Sequence, residues 1–233
     1  NPFASIHFPE DVSINSMAYA NDRLWAGSFG QGIFEIIRNK DQISYRKIPL
    51  NGQANFIHAL HADKKGNIWA GTRGEGLLVF KADNPAQRKQ YTDANGLSHN
   101  YIMSIGEDER GVMWLGTWAG GLIRQDPETG SFNIYKTIKG GGNLAQFPIV
   151  LTFEYKNEAG KSVLCVGTRG GGLLELELDK AGFPQKLLRK STNNPTQNQT
   201  ISSNFINCYW KDVFGRTWIG TEDGLNLWNQ KTN

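Results

Sequence analysis

Asp108-Glu-Arg-Gly-Val-Met-Trp-Leu-Gly-Thr-Trp-Ala-Gly-Gly-Leu122 is the stretch whose reading decides the fold. A Gly-bounded apolar run, Met113–Thr117, is followed by a short Gly-rich turn and a second apolar run that opens at Leu122. Its core recurs five times, as Leu24–Ser28, Ile68–Thr72, Met113–Thr117, Leu164–Thr168 and Thr217–Thr221. The glycines at 27, 71, 116, 167 and 220 are spaced 44, 45, 51 and 53 residues apart. Each is followed by Gly plus an aliphatic residue: Gly32-Ile33, Gly76-Leu77, Gly121-Leu122, Gly172-Leu173 and Gly224-Leu225. Three copies are preceded by Asp-x-x-Gly-x-x-Trp, at Asp63/Trp69, Asp108/Trp114 and Asp212/Trp218.

Runs this short, bounded by Gly, Asp and Pro, read as hairpin strands. The third unit divides into strands near 101–107, 112–117, 121–125 and 131–135. Four strands in a period of 40–50 residues is the arithmetic of a β-propeller blade. The reading is therefore one all-β domain over 1–233, a β-propeller of four-stranded antiparallel blades with five repeats visible. Blade bounds fall near 13–50, 55–92, 100–137, 147–190 and 203–233. The fifth unit lacks its fourth strand, and residues 3–8 stand where such a strand belongs. Five blades closed by that strand, or part of a seven-bladed ring, both satisfy the pattern.

The distance from the first-strand Asn55, Asn100 and Asn204 to the following Trp is 14 residues. Unit one has 10 (Asn15 to Trp25) and unit four 18 (Phe147 to Cys165). A difference of two residues on each arm keeps every side chain on its own face.

Composition excludes several classes. The chain has 233 residues with 27 Gly and 7 Trp, 39% hydrophobic and 20% charged, too aromatic and weakly charged for disorder. A net charge of +3 with no basic stripe gives no nucleic-acid footprint. No 18-residue apolar run spans a membrane, so any membrane link lies in segments outside this chain. Cys165 and Cys208 are too few for a disulfide framework and read as two small buried hydrophobes.

The run Asn95–Leu122 resembles the two-component regulator propeller repeat, a likeness that extends over all five units. It is most specific in units two, three and five; unit four lacks both Asp and Trp. The resemblance implies a periplasmic sensor region of membrane-bound signalling proteins, often hybrid histidine kinases. In such proteins two seven-bladed propellers commonly precede an immunoglobulin-like domain, a membrane helix and the kinase; other members carry other outputs, such as a cyclic-dinucleotide cyclase. It also implies sensing of oligosaccharides from polysaccharide breakdown, without catalysis or cofactor in the propeller.

Within this frame the repeat residues Trp25, Trp69, Trp114 and Trp218 read as blade packing. Asp63, Asp108 and Asp212 read as acceptors for turn amides. Function is expected where the repeats disagree, in the turns between second and third strands. There Arg73, Glu75, Tyr101, Trp118, Arg169 and Glu222 are the candidate ligand residues. Arg forks suit carboxylates or sulfates, aromatic rings stack on sugars, and Asn15, Asn55, Asn100 and Asn204 on the same face offer amides to hydroxyls. The competing expectation is that Arg73 and Arg169 pair with Glu75, Glu222 or Asp223. His58 and His61, three apart in a strand, point to opposite faces and suit no shared metal. Gly140-Gly-Gly142 reads as a flexible connection. An oligosaccharide sensor, a platform for a neighbouring propeller or for self-association, and a propeller lyase or hydrolase are the function classes in play.

Overall fold

The computed structural model describes residues 5–6, 8, 11–39, 42–50, 54–197 and 200–228. The first sheet is a meander of β1 (Ile14–Ala20), β2 (Arg23–Ser28), β3 (Gly32–Asn39) and β4 (Gln42–Lys47). The second is β5 (Ile57–Ala62), β6 (Asn67–Thr72), β7 (Leu77–Lys81) and β8 (Asn84–Tyr91). The third is β9 (Ile102–Glu107), β10 (Met113–Thr117), β11 (Leu122–Gln125) and β12 (Phe132–Tyr135). A small ribbon, β13 (Thr137–Ile138) with β14 (Gly142–Asn143), precedes the fourth sheet. That sheet is β15 (Ile149–Lys156), β16 (Ser162–Thr168), β17 (Leu173–Leu178) and β18 (Pro184–Ser191). The fifth has three strands among the described residues, β19 (Ile206–Lys211), β20 (Thr217–Thr221) and β21 (Gly224–Trp228). The fold is all-β, a β-propeller with five blades, and each blade runs in sequence order as the repeat arithmetic predicts. Asn1–Ile105 and Gly106–Asn233 form two compact units, whose boundary falls inside β9.

The repeat glycine makes the joint between blades. A Cβ on Gly27 would stand 2.5 Å from Ile57 Cγ2, and one on Gly71 would stand 2.8 Å from Ile102 Cγ2. In the second unit a Cβ on Gly167 would lie 2.9 Å from Ile206 Cγ2. The first-strand isoleucine of one blade thus seats on bare backbone of the blade before it, and only Gly leaves that room. Ile57, Ile102 and Ile206 are fully buried in consequence. Trp25, Ile33, Phe80 and Leu78 surround Ile57; Trp114, Leu122, Leu164 and Leu176 cluster with Ile149; and Ile206 packs with Leu151 and Ile219.

The last sheet differs. Ile33, Leu77 and Leu122 are fully buried, whereas the equivalent Leu225 is 67% exposed. Only Cys208 stands within 4 Å of the Gly220 seat among the described residues. Cys208 is therefore exposed, which corrects the expectation of two buried thiols. Cys165 is buried against Glu175; burial, and then that carboxylate, push its thiol pKa well up.

Two further expectations change. In unit four the hairpin gains two residues on each arm, with Tyr155↔Val163 and Lys156↔Ser162 as the added pairs. Unit one does not lose two on each arm. Ile14, not Asn15, begins its first strand, opposite Ser28 as Ile57 is opposite Thr72. The difference lies in the turn: Asn21 and Asp22, both at positive φ (51° and 56°), close a two-residue hairpin. Gly140–Gly142 is likewise no loose linker. It turns the β13–β14 ribbon, which bonds to the fourth blade through the Leu187 amide and Lys139 carbonyl (2.9 Å). The closing-strand expectation for residues 3–8 lies outside the described residues. Of that segment Ser5, Ile6 and Phe8 are described, and the Phe8 ring packs on Phe34 and Tyr45 at 4.8 and 4.5 Å.

Candidate functional site

The side chains on the turn face are held by one repeated device. After the repeat glycine comes Ser or Thr, and its hydroxyl closes the turn from both sides. Thr72 Oγ1 donates to the Gly76 carbonyl (2.8 Å) and accepts from the Glu75 amide (2.9 Å). Ser28, Thr117 and Thr168 do the same with Gly32/Gln31, Gly121/Gly120 and Gly172/Gly171. Thr221 makes a looser version with Gly224 and Asp223, at 3.1 and 3.3 Å. The residue that follows the hydroxyl is presented outward: Phe29, Arg73, Trp118, Arg169 or Glu222. All five are exposed.

The next blade fixes the other side of the Phe29, Arg73 and Arg169 turns. The Gly74 and Gly76 amides donate to the Asn100 carbonyl at 3.1 and 2.9 Å, and the Gly170 and Gly172 amides to that of Asn204 at 2.9 and 3.0 Å. Asn100 Oδ1 in turn accepts from the Asp93 amide, and Asn204 Oδ1 from the Asn193 amide. Asn100 is committed on both sides, since its Nδ2 also donates to Asp93 Oδ1 (2.9 Å), which corrects the expectation that its amide faces a ligand. The residue after each Asn bridges the presented residue, as Phe29↔Phe56, Arg73↔Tyr101 and Arg169↔Phe205.

The predicted site residues separate accordingly. In the first unit Arg73 and Tyr101 come together. The Arg73 guanidinium carbon lies 5.4 Å from the Phe29 ring centre and 5.8 Å from that of Tyr101. Both are within cation–π range. Phe29 meets Phe56 edge-on at 4.9 Å, and both rings are exposed. Tyr101 also meets His58 at 5.4 Å, and its amide donates to His99 Nδ1. Glu75 shares the turn through its backbone, yet no carboxylate pairs with Arg73 among the described residues. In the second unit Arg169 pairs with Glu222 at 3.3 Å, as the competing expectation had it. Both partners are nearly half exposed, so this pair adds at most about 1 kcal/mol. Trp118 is 47% exposed on its own turn. A cavity of about 130 Å³ lies beside the β13–β14 ribbon, between Asn143, Phe147, Thr168 and Lys190.

The repeat Asp does more than hold its turn. Asp63 accepts from the Lys65 and Asn67 amides (2.9 and 2.8 Å) and from the indole Nε1–H of Trp69 (2.8 Å). Asp108 and Asp212 likewise reach Trp114 and Trp218, at 3.3 and 3.1 Å. The Trp is thus latched as well as packed. Partial burial alone would raise the Asp63 pKa; the bonds from Asn67, Trp69 and the turn amides outweigh it and hold the carboxyl below its usual range. The same balance brings Asp212 down to about 2. Unit one has no such Asp, and the buried indole of Trp25 has no acceptor among the described residues.

Sequence reasoning missed Phe56 and Phe205, although the signal was present: Asn55-Phe56, Asn100-Tyr101 and Asn204-Phe205 repeat an Asn–aromatic pair. It also missed the hydroxyl clamp, which the recurrent Gly-Thr step carries. No group of three or more His, Cys, Asp or Glu able to hold a metal occurs among the described residues.

The clamped turns of the five blades present Phe29, Arg73, Trp118, Arg169 and Glu222 outward. Two stretches, residues 51–74 and 96–119, match the profile of the two component regulator propeller. Solved structures show the same fold. The extracellular domain of the hybrid two-component system BT4673 from B. thetaiotaomicron is 23% identical, with a TM-score of 0.71. It is matched over 97% of this chain and 28% of its own. The corresponding domain of BT3049, also from B. thetaiotaomicron, is 20% identical over 94% of this chain and 28% of its own, with a TM-score of 0.69. PorZ, a surface component of the type-IX secretion system of Porphyromonas gingivalis, is 19% identical over 94% of this chain and 32% of its own, TM-score 0.66. The chain thus spans about a third or less of each of these structures. No curated protein sequence matches it significantly. No helix among the described residues is long and apolar enough to cross a membrane.

Proposed function

We propose that this chain is the sensor propeller of a two-component signalling protein, placed in the periplasm, where it binds a polysaccharide-derived oligosaccharide without catalysis. The kinase that reads the binding event lies in segments outside this chain. The observation that carries the reading is the contrast within each blade. The joints and clamps repeat, while the presented residue changes from Phe29 to Arg73, Trp118, Arg169 and Glu222. The joint glycine and the clamp hydroxyl recur in all five units, and the side chain presented beyond them does not. Aromatic and arginine side chains at rigid positions are what a sugar site needs. The resemblance to extracellular domains of hybrid two-component systems supports the compartment and the output.

Thermal-shift measurement against neutral and acidic oligosaccharides tests this. Stabilisation that is saturable and reduced by Trp118→Ala or Arg73→Ala is the expected result. A flat response to the whole panel contradicts it. A protein-binding platform is the second reading, favoured by the uncovered joint face of the fifth sheet, where Trp210, Leu225 and Leu227 are 71%, 67% and 52% exposed.

A further inference from the structure

We propose that the Arg73 cluster is the subsite that reads an acidic group, a carboxylate or a sulfate, on the bound saccharide. This rests on the saccharide binding proposed above and adds the chemical class of the ligand. Two arginines stand in equivalent places in the two units. Arg73 and Arg169 both follow the clamp threonine, and both bridge the aromatic residue of the next blade, Tyr101 or Phe205. A structural requirement of the repeat would give them the same partner. Instead Arg169 is neutralised by Glu222, whereas no carboxylate pairs with Arg73 among the described residues. Glu75 is only two residues away, but Arg73 turns to the rings of Phe29 and Tyr101.

That arrangement prepares an anion site. The rings satisfy the π-face of the guanidinium and limit its side-chain freedom, and its N–H edges keep their donor capacity. A carboxylate or sulfate can take two of those donors in the planar fork geometry. Beside the guanidinium, the exposed rings of Phe29 and Phe56 stand edge-on with centroids 4.9 Å apart. An apolar sugar face laid on one of these rings brings an acid substituent on that sugar to Arg73. The backbone is fixed underneath, since the Arg73 amide donates to the Phe56 carbonyl (2.9 Å) and the Thr72 hydroxyl locks the turn. Little is then left to order on binding. Gly74 at the tip has nothing within 4 Å of where a Cβ would project, so the approach is open.

The test is calorimetric titration of the full chain with trigalacturonate, a monosulfated neutral trisaccharide and the unsulfated trisaccharide. The uronate and the sulfate arms identify which acid is read. At least one acidic ligand is expected to bind ten-fold or more tightly than the neutral one, with the advantage shrinking as salt is raised. Arg73→Gln should remove that advantage. Arg73→Lys, which keeps the charge but loses the fork and much of the stacking, should weaken the acidic ligand at least three-fold, and it carries the same test should the Gln variant not fold. Lys89→Gln, an equal charge change on the exposed strand β8, should stay within two-fold. Equal affinity for acidic and neutral sugars overturns this subsite and leaves the saccharide sensor standing. Unchanged acidic binding in both Arg73 variants also overturns it. Failure of all three ligands to bind removes both readings together.

Discussion

Replacing the latched Trp69 by Phe should cost far more stability than the same change at Trp25. Both indoles occupy the same blade position, and both are buried, at 6% and 0% exposure. Trp→Phe therefore leaves a similar void and loses similar apolar contact at each, and these contributions cancel in the comparison. What differs is the indole N–H. In Trp69 it donates at 2.8 Å to a carboxylate, Asp63 Oδ2. A hydrogen bond to a charged group contributes about 1.5–3 kcal/mol. In Trp25 the N–H has no acceptor among the described residues, so Phe also removes an unmet polar group that costs about 1–3 kcal/mol. The two changes should then differ by about 2.5–6 kcal/mol, or on the order of 5–24 °C in Tm for a chain of this size. Urea denaturation followed by circular dichroism gives the stability difference directly. Equal losses in the two variants would refute the latch, and a larger loss at Trp25 would reverse it.

Acid should act through the same carboxyls. Asp63 and Asp212 are held below their usual pKa, Asp212 at about 2, so their contribution is complete above the unfolded value near 4 and is lost as pH falls toward 2. Tm measured from pH 6 to pH 2 should fall in that window, and Asp212→Asn should flatten the fall; an unchanged profile in the variant counts against it. Gly71→Ala puts a Cβ 2.8 Å from Ile102 Cγ2, and the overpacking should cost about 1–3 kcal/mol by chemical denaturation, whereas Gly220→Ala, which meets only Cys208, should cost less. Thr72→Val keeps the shape of a fully buried side chain but leaves the Glu75 amide without its acceptor and the Gly76 carbonyl with the Thr72 amide alone, so a loss of about 1–3 kcal/mol is expected, together with weaker ligand binding through Arg73. Sedimentation velocity at high concentration should show self-association through the apolar fifth sheet, and Leu225→Lys with Leu227→Lys should disperse it.

The architecture was legible in the sequence because blades are local. Each hairpin is set by nearby Gly, Asp and Asn, and the repeat made the same signal visible five times. Even the four-residue extension of unit four could be placed, since strand register allows only an even change per arm. The unit-one alignment failed because Asn15 resembled Asn55 in type, while the register pairs Ile14 with Ser28 as it pairs Ile57 with Thr72. The candidate site was legible only in half. Turn variability pointed to Arg73, Arg169, Trp118 and Glu222. Which arginine is neutralised depends on a residue 53 positions away, Glu222, and no local pattern carries that. The latch from Asp63 to Trp69 also needed three dimensions, because the spacing admits either a turn bond alone or a turn bond with the indole.

Hydrogen–deuterium exchange of the chain with and without saturating acidic trisaccharide tests the central claim most directly. The account predicts protection of the presenting turns, above all residues 73–76 and the Asn100-Tyr101 step, with no change at the Asp-latched turn 63–67 on the other end of β6. Protection confined to the 63–67 turn, or none anywhere under saturating ligand, would contradict it.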